Sequence, residues 1–93
     1  MSDGDPLKPI RLVLADDHPI YRDGLARTLG DVGGIEVVGQ ASDGEEAVQL
    51  VVALAPDLVL LDLSMPKGGG LGALKGIRAL PAPPHVAVLT ASE

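Results

Sequence analysis

Four short apolar runs punctuate the chain. Ile10-Arg11-Leu12-Val13-Leu14-Ala15 and Asp57-Leu58-Val59-Leu60-Leu61-Asp62 are close to continuous in apolar residues, the pattern of strands covered on both faces of a parallel sheet. Ile35-Glu36-Val37-Val38-Gly39-Gln40-Ala41 follows the pair Gly33-Gly34 and is more mixed, which predicts a strand nearer an edge. His85-Val86-Ala87-Val88-Leu89-Thr90 follows the proline-rich Pro81-Ala82-Pro83-Pro84 and predicts a fourth strand. Helical spacing fills the intervals. Ile20, Leu25, Thr28, Leu29 and Val32 recur at about 3.6 residues, and Pro19 suits a first turn, so the pattern predicts an amphipathic helix over roughly 19–31. Ser42-Asp43-Gly44-Glu45 has the S-x-x-E form of a capping box, opening a helix through Ala47, Val48, Val51 and Leu54 with Pro56 just beyond it. A third, poorer helix is predicted from Leu71 to Leu80, where Gly72 and Gly76 each cost about 1 kcal/mol relative to Ala. Strand and helix therefore alternate throughout, as in an α/β fold with right-handed crossovers.

At 93 residues the chain makes one small domain, which buries only about 60–65% of its unfolded surface. A hydrophobic fraction of 46% against 22% charged excludes a disordered tail. With one Tyr, no Phe and no Trp there is no aromatic platform for stacking bases. A net charge of −6 argues further against this segment gripping nucleic-acid phosphates by itself. The lack of Cys removes disulfides, thiolate catalysis and sulfur-ligated zinc, in keeping with a reducing cytoplasm. Residues 1–9 carry two prolines and several turn formers, so they read as a disordered leader without the basic and apolar regions of a signal peptide. No apolar run approaches the ~20 residues of a membrane span.

In open parallel sheets, ligands sit beyond the carboxyl ends of the strands. Asp16 and Asp17 follow the first strand, Asp62 ends the third and Thr90 ends the fourth. If the first and third strands are neighbours, three carboxylates converge. Two of them ~4 Å apart repel by about 4 kcal/mol at an effective dielectric of about 20, so the group needs a cation or a raised pKa. A hard divalent ion such as Mg²⁺, which takes carboxylate oxygens and keeps a side open for phosphate, answers that need and points to phosphoryl chemistry. Singly, each residue is ordinary: Asp17 could cap the following helix, Asp62 could be a turn residue, Thr90 is a common strand former. Their joint placement is what marks a site. His18 reads as exposed at a helix start and His85 at a strand start, and without a third nitrogen or sulfur ligand they do not make a zinc site. Tyr21 reads as a surface or packing residue. Gly68, Gly70 and Ala73 fit G-x-G-x-x-A, but the pattern follows Pro66 and the third strand, where a dinucleotide fingerprint would follow the first.

Ala15-Asp16-Asp17-His18-Pro19, Leu60-Leu61-Asp62-Leu63-Ser64-Met65-Pro66 and Val88-Leu89-Thr90-Ala91 together resemble the receiver domain of bacterial two-component response regulators, over nearly the whole chain from Ile10. Asp-Asp-His-Pro followed by Tyr21-Arg22-Asp23-Gly24-Leu25 is most similar to the NarL/FixJ subfamily, whose members usually carry a LuxR-type helix-turn-helix output domain. The resemblance implies a flavodoxin-like, three-layer α/β/α fold with a parallel sheet ordered 2-1-3-4. It implies that Asp62 is the phosphoacceptor for a sensor histidine kinase. Asp16 and Asp17, with Asp62 and the backbone carbonyl of Ser64, would hold Mg²⁺. Thr90 would be the switch hydroxyl that contacts the phosphoryl group, and Met65-Pro66 the turn beyond the acceptor. Such a module is not an enzyme beyond its own phosphotransfer and dephosphorylation.

The chain also departs from the family. Lys67-Gly68-Gly69-Gly70 lacks the Asp or Asn that often precedes the last Gly, which predicts a more flexible loop. The family's fourth helix, fifth strand and fifth helix would follow Thr90, whereas the sequence stops at Glu93. With them would go a phosphate-contacting Lys and the aromatic partner of the switch Thr. On this reading residues 10–93 are an incomplete receiver whose fourth strand is a bare edge, inviting homodimerisation or domain swapping. DNA would be reached only through an output domain outside this chain, and no membrane is involved. Two other functions fit the residues. One is a Mg²⁺-dependent phosphatase or phosphotransferase, whose usual Asp-x-Asp fails at Ser64; the other is an interaction module that takes no phosphate.

Overall fold

The computed structural model describes residues 8–65 and 69–89. Four parallel strands, β1 (Ile10–Ala15), β2 (Ile35–Ala41), β3 (Leu58–Asp62) and β4 (His85–Leu89), lie in the order β2-β1-β3-β4. Helices α1 (Pro19–Asp31), α2 (Gly44–Leu54) and α3 (Gly69–Arg78) connect them in turn. β1 is central and its last four residues are all buried, as a run covered on both faces requires. β2 is an edge strand, as its mixed composition predicts. The outer side of β4 has no partner strand among the described residues, and no helix among them is long and apolar enough to cross a membrane.

The two faces of the sheet are covered unequally. Val13, Ala15, Val59 and Leu61 point to one side and pack with Ala47 and Val51 of α2 and Ala73 and Ile77 of α3 in a single core. The spacing of Ala47 to Val51 and of Ala73 to Ile77 is one helical turn, so each helix presents one stripe. The opposite face receives α1, which packs on β2 and β1. Contrary to the amphipathic pattern, α1 buries no side chain: Ile20 is 89% exposed, and Leu25 and Leu29 are only half-buried. Leu58 and Leu60 of β3, on that same side by alternation, are half-buried too.

Small residues set the approach of α2 to α3. A Cβ on Gly44 would collide with the carbonyl of Gly69, and one on Gly76 would lie 3.3 Å from Val48 Cγ2. Gly76 is thus a packing requirement, which offsets its poor helix propensity. The third helix starts at Gly69 and ends at Arg78, so Gly69 and Gly70, expected in a flexible loop, form its first turn. The cap of α2 is also shifted by one residue from the expected Ser42. Asp43 is the N-cap, its side chain accepting from the Glu46 N–H at 2.8 Å, while the N–H and hydroxyl of Ser42 both donate to Glu46 Oε1. At the other end of α2, Ala55 takes a left-handed conformation with φ 47°, and Arg11 Nη1 donates to the carbonyls of Leu54 and Ala55. Residues 1–7 of the expected leader, Pro66–Gly68 and the expected strand end Thr90 lie outside the described residues.

Candidate functional site

Register brings the acidic residues together. Ala15 pairs with Leu61 across β1 and β3, so the next residues, Asp16 and Asp62, emerge side by side at the carboxyl ends of the two central strands. Both are buried, at 1% and 4% exposure. Each carboxylate is oriented by the chain that follows it. Asp16 Oδ1 accepts the N–H of His18 at 2.8 Å, and Asp62 Oδ1 accepts the N–H of Ser64 at 2.8 Å and its hydroxyl at 2.7 Å. These bonds to residue i+2 lock the side-chain rotation, as Asx turns do.

Asp17 does not cap α1. The N-cap position is His18, without a side-chain cap bond, and Asp17 turns toward the other carboxylates. Its Oδ1 is buried and makes no hydrogen bond, although His18 Nδ1 lies 3.0 Å away. One ligand atom from each of Asp16, Asp17, His18 and Asp62 falls within 4.8 Å of the others. A buried carboxylate oxygen without a hydrogen bond, beside two further carboxylates, is a donor set that a hard divalent cation satisfies. His18 is exposed, yet its ring hydrogen-bonds Asp16 at 3.1 Å. That bond, followed by the charge of Asp17, raises its pKa above the ordinary 6.5.

Beside the carboxylates opens a groove of about 760 Å³, bordered by Asp16, Asp62, His18, Ile20, Tyr21 and Leu89. It gives an incoming group access to Asp62. Leu89 pairs with Asp62 and accepts the N–H of Leu63 at 2.9 Å, so β4 ends level with Asp62; Thr90, the next residue, is outside the described set.

Sequence reasoning placed Asp16, Asp17 and Asp62 together but left His18 as a bystander and gave Ser64 only a carbonyl. The signal for both was the i+2 spacing after a buried Asp, where a backbone N–H returns to the carboxylate. Arg22, half-buried on α1, also went unassigned; its Nη1 donates to the Asp16 carbonyl at 2.8 Å.

Comparison with known proteins agrees with this geometry. Residues 12–93 match the family model of the response regulator receiver domain. The transcriptional regulatory protein NarL of Mycobacterium tuberculosis is 39% identical over 93 residues, covering 100% of this chain and 43% of that protein. The response regulator UvrY of Escherichia coli is 47% identical over 81 residues, 87% of this chain and 37% of that protein. The chain therefore spans less than half the length of these relatives. Among solved structures, the signal receiver domain of M. tuberculosis NarL superposes with a TM-score of 0.84 at 37% identity, over 92% of this chain and 69% of that one.

Proposed function

Because this chain belongs to the response regulator receiver family, a family of phosphoacceptor modules in two-component signalling, we propose that Asp62 is its phosphoacceptor and that Asp16 and Asp17 form its metal site. The observation that carries this reading is the meeting of Asp16, Asp17 and Asp62 at the ends of β1 and β3, with a buried Asp17 oxygen that makes no hydrogen bond. Mg²⁺ would be held by Asp16, Asp17, Asp62 and the backbone carbonyl of Ser64. When bound, it supplies charge neutralisation for an anionic nucleophile meeting an anionic phosphoryl group.

The chain's own residues do the rest. A carboxylate oxygen of Asp62 attacks the phosphorus of a phosphohistidine on a sensor kinase. The P–O bond forms as the P–N bond breaks, and the imidazole leaves with the electron pair. Ser64, donating twice to Asp62 Oδ1, holds the carboxylate in one rotation during that approach. The groove bordered by Ile20, Tyr21 and Leu89 admits the donor. Thr90, directly after Leu89, would carry the hydroxyl that senses the phosphoryl group. The acyl phosphate is then hydrolysed within the same site, which is the only turnover the module performs.

The partners follow from the same reading: a sensor histidine kinase, a second copy of the chain, and DNA through a separate output domain. The relatives' names as transcriptional regulators support the last of these. The setting is cytoplasmic. The test is incubation with acetyl phosphate and Mg²⁺ followed by intact mass spectrometry. One added phosphoryl group is expected, slow to form, prevented by EDTA present from the start and absent in Asp62→Asn. Addition that survives Asp62→Asn, or none after prolonged incubation, overturns the reading.

A further inference from the structure

Arg22 has no part in the roles above, and its contacts are specific. Nη1 donates to the carbonyl of Asp16 at 2.8 Å, and Nε donates to Oε1 of Gln40 on β2 at 3.2 Å. Its backbone N–H donates to the His18 carbonyl at 2.8 Å, so the first turn of α1 sets where the side chain begins. Among the described residues, no carboxylate lies within ion-pairing distance of the guanidinium. Its charge is directed instead at one backbone carbonyl.

That carbonyl belongs to the peptide joining Asp16 to Asp17. Asp16 is held on its other side too, its N–H donating to the Ala41 carbonyl at 3.0 Å. Asp16 is thereby fastened to β2 through its own N–H, and the 16–17 peptide through Arg22 and Gln40. Peptide rotation here would swing the Cα–Cβ bond of Asp17, and Asp17 Oδ1 has no hydrogen bond of its own to resist it. We propose that Arg22 is a positioning residue for the acidic pair: through the Asp16 carbonyl it holds the 16–17 peptide in the rotation that turns both carboxylates toward Asp62, with Gln40 as its brace. The inference rests on the metal-site reading above. A Lys cannot replace it fully, because one ammonium lacks the fixed fork that reaches two acceptors in different directions.

The test is titration of Mg²⁺ alone into the metal-free chain, following the amides of Asp16, Asp17 and His18 by heteronuclear NMR, with melting temperatures measured in parallel. In Arg22→Ala those three amides are expected to shift before any metal is added. Its Mg²⁺ affinity should fall about 10- to 100-fold, the range for loss of an outer-sphere partner. Gln40→Leu, at an exposed edge position, should weaken binding in the same direction by less, and Arg22→Lys should recover part of the loss. A lowered melting temperature with unchanged Mg²⁺ affinity in Arg22→Ala and Gln40→Leu would mean that Arg22 merely stabilises the fold, and overturns the proposal. A wild-type chain that takes up no Mg²⁺ overturns the metal-site reading and this inference with it, so the two failures are distinguishable.

Discussion

Replacing Asp62 by Asn should make the metal-free protein more stable, although it removes the proposed phosphoacceptor. The ligand atoms of Asp16, Asp17 and Asp62 lie within 4.8 Å of one another. Two unit charges at that distance repel by about 3.5 kcal/mol at an effective dielectric of about 20, and by about 0.9 kcal/mol in water. Asp62 enters two such pairs. His18, exposed and drawn to Asp16 and Asp17, relieves part of the crowding without touching Asp62. The Asn is isosteric, and its Oδ1 can still accept the N–H and hydroxyl of Ser64, so few contacts are lost. A gain of about 1–3 kcal/mol is expected, which for a domain of this size raises Tm by roughly 4–8 °C per kcal/mol. Calorimetry in EDTA, then in rising MgCl₂, reads both halves of the argument. The wild-type Tm should climb with Mg²⁺ as the ion binds only the folded state, while the Asn variant stays nearly flat. An Asp62→Asn variant no more stable than wild type in EDTA would refute the idea that the three carboxylates are under mutual repulsion.

Three further outcomes are expected. Gly70→Ala places a Cβ 2.6 Å from both the Asp62 carbonyl oxygen and Leu63 Cα, backbone atoms that cannot step aside, so urea unfolding should show a loss of about 1–3 kcal/mol; stability equal to wild type would contradict that packing. Gly72→Ala meets nothing within 4 Å on an exposed helical position and should gain about 0.5–1 kcal/mol in thermal melts, whereas a loss would mean that the backbone there is not helical. The His18 ring should titrate above 6.5 in metal-free protein by NMR. Its pairing then stabilises the fold fully below the unfolded pKa and fades as pH rises through the folded one, and Mg²⁺, competing for the same carboxylates, should lower the midpoint. A midpoint at or below 6.5 without metal would count against the Asp16 contact.

The strands and the acidic site were legible because both depend on short-range pattern: continuous apolar runs for β1 and β3, and acidic residues where those runs stop. The misreadings are equally local. Ser42…Glu45 and Asp43…Glu46 are overlapping frames of one capping signal, and propensity alone does not choose between them; the structure uses Asp43 and Glu46. Gly69 and Gly70 look like a loop because glycine disfavours helices, yet the backbone of Asp62 and Leu63 leaves no room for a side chain at Gly70, and the Gly69 carbonyl fills the space a Cβ on Gly44 would need. For α1 the spacing identifies the apolar face but does not say whether anything covers it, and Ile20 stays in solvent. Long-range hydrogen bonds such as Arg22 to Gln40, 18 residues apart, have no signature in local periodicity at all.

The absence of buried side chains in α1 has a dynamic side. An element with few buried apolar contacts detaches at a small fraction of the free energy of global unfolding. The polar bonds at its first turn end on Asp16, from the N–H of His18 and the guanidinium of Arg22, and on Gln40 of β2, from Arg22 again. Lifting the helix and loosening the acidic turn are thus one excursion. Anchoring Asp16 should therefore quiet this 13-residue helix, read as slower amide exchange along α1 when the site is occupied.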